Sequence, residues 1–183
     1  MIDLSRKELP NTIEVNGDSF FIKTNFREWI AYSKIIQKKQ YTLGELYFLF
    51  EDKIPQVDFS FELLDFFTNP NVTPRNIGLQ NVSKERTFDY IEDGEYILSA
   101  FMQAYHIDLT STEYMHWHVF KALFEGLPEN TKMAQIMSYR GYVKSNKTQD
   151  DFYKNQQKIW KLPNIEEHEE VDIDDINDLF YNS

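Results

Sequence analysis

Between Met115 and Leu127 the chain reads MHWHVFKALFEGL, a run whose apolar side chains wrap almost a whole helical wheel and leave only His118, Lys121 and Glu125 as a polar stripe. A helix that is apolar nearly all round has to be covered on nearly every side. It is therefore expected to be the central, most buried helix, with other elements packed around it. The chain can supply that cover. Its 183 residues include 15 Phe, 11 Tyr and 3 Trp, and a chain of this length buries about 70% of its unfolded surface.

The covering elements can be read from local signals. Ile13 and Val15 precede Asn16-Gly17, and Phe20 and Ile22 follow. A two-residue type I′ turn there sets Ile13 opposite Phe20 and puts all four side chains on one face, so residues 12–24 read as a hairpin. Asn25 can cap FREWIAYSKIIQKK, with Phe26, Trp29, Ile30 and Ile36 as its apolar stripe and Arg27, Glu28, Lys34 and Lys38 in water. Thr42 and Asp58 open two brief helices, Leu43–Phe50 and Phe59–Phe67, the second stopped by Asn69-Pro70. Pro70 to Thr87 is polar, without a period, and reads as a long connection.

Asp89 and Glu92 have capping-box spacing, and Ile97, Leu98, Phe101, Met102 and Tyr105 fall on one face of a helix ending near His106. Thr110 and Glu113 repeat the spacing ahead of the central helix, which Gly126 and Pro128 stop. Asn130 then caps a helix with Met133, Ile136 and Met137 inward and Gly141 at its end. A last helix, Thr148 to Leu162, offers Phe152, Ile159 and Trp160 as anchors at the edge of the domain. The expected class is mainly α: a single helical domain over residues 1–163 with a small N-terminal β-hairpin, followed by an acidic amphipathic tail, 164–183.

Charge sets body and tail apart. The formal charge is −11, of which residues 1–161 carry −3 and residues 162–183, with eight acids and no Lys or Arg, carry −8. A near-neutral body gives no basic face for nucleic-acid phosphates. The chain has no cysteine, so disulfides, zinc–thiolate sites and thiol nucleophiles are excluded. No apolar run approaches the ~18–20 residues of a spanning helix and the N-terminus has no signal-peptide core, so a cytoplasmic protein that binds no membrane is expected.

Little in the sequence points to catalysis. His116 and His118, two residues apart on a helix, would project about 200° from each other, one inward and one outward, whereas helical metal pairs sit at i, i+3 or i+4. His106 could meet His116 in space, but a buried histidine satisfied by a carbonyl is the commoner case. There is no G-x-S-x-G elbow, Walker loop or G-x-G-x-x-G. The acidic pairs Asp150-Asp151 and Glu92-Asp93 sit where helix starts favour negative charge. No catalytic residue, cofactor or metal is assigned.

Aromatics are the other resource. Tyr105, Trp117, Phe120 and Phe124 lie at helical spacings without interleaved basic groups and read as core, not as a base-stacking platform. TLGELYFLF carries more apolar groups than one helical face needs, which leaves two readings for Leu46, Tyr47, Phe48 and Phe50: a partner surface or full burial. In the tail, Ile173, Ile176, Leu179 and Phe180 form a stripe if residues 172–180 become helical, so the tail is either a binding motif or a solubilising segment.

The second half resembles a known family. Asp93, Ile97, Phe101, Tyr105, Ile107, Asp108 and Leu109, then Met115, His116 and Trp117 with Phe120, Leu123 and Leu127, and finally Tyr139 and Arg140 match a motif set over residues 88–142. That set is similar to the one in small proteins of tailed phages and Gram-positive prophages, the siphophage tail assembly chaperones encoded between the major tail protein and the tape measure. Members often carry a second aromatic after His-Trp, where this chain has His118, a departure expected to alter surface packing. The resemblance implies a non-enzymatic factor of the host cytoplasm that binds the tape measure protein, helps tail-tube protein assemble around it, and is absent from the mature virion. Within the motif, Asp108 is expected to cap the turn before Thr110, and Arg140 to pair with Asp108 or Asp93. Two alternatives stand beside it: a connector retained in the particle, and an acidic inhibitor of a host DNA-binding protein.

Overall fold

The computed structural model describes residues 5, 7–68, 86–143 and 150–163. The expected stop at Asn69-Pro70, most of the 70–87 connection, Thr148 and the tail lie outside the described residues. Strands β1 (Thr12–Val15) and β2 (Asp18–Phe21) form the hairpin, followed by α1 (Phe26–Ile36), a 3-10 helix (Leu43–Leu49), α2 (Ser60–Thr68), α3 (Gly94–Tyr105), α4 (Trp117–Glu125), α5 (Lys132–Arg140) and α6 (Asp150–Ile159). The protein is mainly helical, as its periodicities require.

The hairpin takes the expected register. Asn16 and Gly17 both adopt positive φ, 53° and 88°, which sets Ile13 opposite Phe20. Ile13, Val15 and Ile22 are buried, and Phe20 packs against the same core. Residues 22–25 then thread between two other parts of the chain. On one side Lys23 N–H donates to Leu49 O (2.8 Å); on the other Trp117 N–H donates to Thr24 O (2.7 Å) and Phe26 N–H to Met115 O (2.9 Å). This second pairing keeps residues 115–116 extended, so α4 begins at Trp117 and not at the Thr110–Glu113 spacing. Asp108 caps the local turn there, accepting from Thr110 N–H (2.8 Å). Arg27, expected in water, clamps the same turn through Thr112 O (2.6 Å) and Leu109 O (2.8 Å).

Stacked aromatic rings fill the core around α4. Phe120 lies between Phe26 (5.0 Å) and Phe101 (5.1 Å), and Trp117 stacks on Phe67 at 5.0 Å with planes 8° apart. The two buried indoles keep their hydrogen bonds: Trp29 Nε1–H donates to Lys23 O and Trp117 Nε1–H to Phe67 O, both 2.9 Å. Such rings bury large apolar areas only if the polar edge finds a partner.

A buried ion pair ties the second half together. The guanidinium of Arg140, at the end of α5, holds both carboxylate oxygens of Asp93, at the start of α3 (2.6 and 2.9 Å). Its Nη1 also donates to Thr87 O (3.2 Å) and its Nε to Trp160 O. Asp93 in turn accepts from Asp89 N–H (2.9 Å), and Asp89 from Ile91 and Glu92 N–H and from Arg86. The 89–92 capping spacing therefore organises the turn ahead of α3, and the helix proper starts at Gly94. Of the two partners expected for Arg140, Asp93 is the one found. The next cap is also shifted by one residue: Thr131, not Asn130, accepts from Ala134 N–H (3.3 Å).

Helix α6 is held differently from the expectation. Phe152 and Ile159, read as anchors, are 52% and 67% exposed. Polar groups secure the helix instead: Gln157 Nε2 donates to Tyr142 O (2.8 Å), Tyr142 OH bonds Asp150, and Tyr153 stacks on Tyr142 at 4.0 Å. Trp160 alone of the three is packed as expected, edge-on to Tyr96 (5.5 Å) under Lys132 Nζ (4.4 Å).

Breaking the Asp93–Arg140 pair from one side strands a buried charge, at a cost of about 3–5 kcal/mol. Asp93→Ala and Arg140→Met are each expected to lower the unfolding free energy from urea titration by that much, while the double variant Asp93→Ala/Arg140→Met loses less than the two added together. Strictly additive losses would contradict the coupling.

Candidate partner-binding surface

The residues of the 88–142 motif are spent on the fold. Ile97, Phe101, Trp117 and Phe120 are core, Asp93 and Arg140 are the buried pair, and Asp108 caps a turn. Tyr105 is half-buried, its OH donating to Leu123 O (2.8 Å), and Tyr139 lies edge-on to Tyr153.

His116 and His118 do not point apart. His116 stands outside the helix as the N-cap of α4, its Nδ1 accepting from His118 N–H (3.0 Å), so its Nε2 carries the proton and donates to Pro10 O (2.9 Å). His118, expected on a polar stripe and at the surface, is buried, stacked on Phe66 at 4.4 Å and donating from Nε2 to Phe66 O (2.9 Å). Three of the four ring nitrogens are thus engaged, and His118 Nδ1 meets no partner among the described residues. His106 serves as the left-handed C-cap of α3 (φ 56°). Among the described residues no three His, Asp or Glu side chains are grouped to hold a metal ion, and no helix is long and apolar enough to cross a membrane.

Burial pushes the His118 imidazole down to about 4 from its ordinary 6.5, outweighing the bond to Phe66 that favours the proton. The unfolded chain therefore binds a proton there before the folded one does. This group's contribution to stability is complete above pH ~6.5 and is lost as pH falls towards ~4. Thermal midpoints at pH 7 and pH 5 should differ more for the natural chain than for His118→Phe, which keeps the stack on Phe66. Equal differences would contradict this assignment.

The 3-10 segment settles which of TLGELYFLF faces out. Leu46 and Phe50 are buried, together with Leu49, and Phe48 is half-buried against the core. Only Tyr47 of the four residues singled out there is exposed. A 3-10 turn aligns residues three apart, so Leu46 and Leu49 bury together, and Phe50 bridges to Ile22 of the hairpin segment. Ile173, Ile176, Leu179 and Phe180 lie outside the described residues.

Among the described residues the most exposed large apolar side chain is Phe61. On α2, Leu63 and Phe66 are buried, yet Phe61 is 73% and Leu64 42% exposed, one turn apart on the opposite face, with Val57 exposed just ahead of the helix. Residues 57–68 carry Asp58, Glu62 and Asp65 and no base. Asp58 is fixed by accepting from the Ser60 hydroxyl and from Ser60 N–H (2.9 Å), bonds that hold its carboxyl below the usual carboxylate range. Tyr47 sits against Phe59 at the base of α2 (6.2 Å). The sequence signal was present: FSFELLDFF has apolar groups on more sides than one core-facing stripe uses.

Phe61→Asp should therefore change unfolding free energy by no more than about 0.5 kcal/mol. Leu63→Ala, two residues on and fully buried, should cost about 2–5 kcal/mol. Similar losses from both would contradict the orientation of α2.

Residues 6–162 match the family model described as Bacteriophage Gp15 protein. The match takes in the hairpin and the six described α-helices, well beyond the 88–142 motif. No curated protein and no solved structure matches the chain.

Proposed function

The chain belongs to the Bacteriophage Gp15 protein family, and from that premise we propose that it is a non-enzymatic tail assembly chaperone that binds the tape measure protein. The observation that carries this reading is the outward face of α2. Phe61 and Leu64 stand exposed at i, i+3 spacing within an acidic rim, a pattern suited to an amphipathic helix that brings an apolar stripe flanked by Lys or Arg. Long helical proteins awaiting assembly expose such stripes, and covering them reversibly keeps them soluble.

Action without catalysis is supported by how the acidic side chains are used. Asp93 is neutralised by Arg140, Asp108 caps a turn, and Asp150 bonds Tyr142. Each of these carboxyl groups has a structural task. On this reading the protein works in the host cytoplasm, helps tail-tube protein meet the tape measure, and leaves before the virion is complete.

Co-expression with the tape measure tests the proposal. The natural chain is expected to raise the soluble fraction of the tape measure and to be recovered with it, while Phe61→Asp/Leu64→Asp, folded by its own melting curve, loses most of both effects. Loss in a chain stopped after Pro163 would assign a second contact to the tail. If the natural chain neither binds the tape measure nor raises its solubility, the proposal fails. Many copies found by mass spectrometry of purified virions would favour a connector instead.

A further inference from the structure

Two outward apolar faces differ in the sign of their rims. The α2 face has three acids and no base among residues 57–68. The α6 face differs: Phe152 and Ile159 lie seven residues apart, on one side of the helix and exposed; Asp150 and Asp151 open the helix, Asp150 bonded to Tyr142 and Asp151 3.8 Å from Lys154 Nζ, and its C-terminal end carries Lys158 and Lys161 on either side of Ile159 with no acid from 152 to 161. The helix is fastened on its other side through Tyr153, Gln157 and the carbonyl of Trp160. On the Phe152–Ile159 side the only ring contact to another described element is the edge of Phe152 against Tyr139 (6.1 Å), and Ile159 stands 67% exposed.

We propose that the acidic tail of the same chain docks on this outer face of α6, with Ile173, Ile176, Leu179 and Phe180 against Phe152 and Ile159 and the tail's acids beside Lys158 and Lys161. Three observations converge. Charge selects the site: residues 162–183 carry eight acids and no Lys or Arg, so the acidic rim of α2 repels them, while Lys158 and Lys161, at the far end of α6 from its opening acids, attract them. Pattern matches pattern, since the apolar spacing of residues 173–180 fits a two-residue apolar ridge. Reach is sufficient. Thirteen residues, 160–172, separate Ile159 from Ile173 and span up to roughly 40 Å when extended, against the ~15 Å length of a ten-residue helix. Because the tail begins where α6 ends, the encounter is intramolecular, and short tethers hold effective concentrations in the millimolar range. Weak contacts then suffice. The docked tail covers the apolar ridge of the resting protein and keeps it from other chains.

This goes beyond the chaperone reading and does not depend on it, because it concerns the chain alone. The absence of cysteine makes the test direct. A nitroxide label on Ser183→Cys in the full-length protein would be the only one, and amide NMR signals report which residues it approaches. Signals from residues 152–161 are expected to lose intensity, those from α2 to keep it, and the pattern to stay the same on dilution. Reversing Lys158→Glu and Lys161→Glu should restore the lost signals while the other α6 shifts show the helix still in place. The proposal is overturned if α6 signals are unaffected, if α2 signals broaden in their place, if the broadening fades on dilution, as it would were the tail seated on a second copy, or if charge reversal changes nothing.

Discussion

Arg140 has three tasks, and the second half of the molecule depends on all of them. Its guanidinium neutralises Asp93 at the start of α3 and donates to the carbonyls of Thr87, ahead of α3, and Trp160, after α6. Three helices and the segment before α3 thus converge on one planar, permanently charged group. Arginine suits this place because its fork presents fixed donors in one plane to a carboxylate and to two carbonyls at once, which a lysine cannot do. A buried pair of this kind is weak evidence for net stability, yet it is unforgiving of misplacement. Its consequence here is geometric: α6 is fastened through Trp160 O, and its apolar ridge is left facing out.

The first half is locked by a different device, extended backbone threaded between two partners. Residues 22–25 bond both the end of the 3-10 segment and the entry to α4, so the hairpin, α1 and α4 have fixed relative positions before any aromatic ring is considered. The stacks of Trp29, Phe67, Trp117 and Phe120 then fill what that frame encloses. With the motif residues committed to these two devices, the exposed apolar side chains of α2 and α6 come from outside the motif.

Signals that act within a few residues were legible in the sequence. Asn16-Gly17 set the hairpin register, the apolar wheel of residues 115–127 marked the central helix, and Asp108 capped its turn as its spacing required. What depended on distant chain was not legible. The start of α4 is decided by Thr24 and Phe26, ninety residues earlier, and this turned His116 into a cap and His118 into a core residue. The outward turn of Phe152 and Ile159 follows from Gln157 and Asp150 finding polar partners on the loop after α5. Counting apolar residues could not separate Leu46 from Tyr47, since which side a 3-10 turn buries depends on the hairpin packed against it. For the candidate site, the excess of apolar groups in FSFELLDFF was readable, but its orientation was fixed only by Trp29 and Trp117 claiming Phe66 and Phe67.

In the proposed function, a motif devoted to the core leaves the tape measure to the exposed face of α2. Hydrogen–deuterium exchange on the purified complex with the tape measure, compared with the free chain, reads that contact out residue by residue. Slowed exchange is expected across residues 57–68, with the amides of α3, α4 and α5 unchanged. A complex that forms while exchange at 57–68 stays as fast as in the free chain would contradict it.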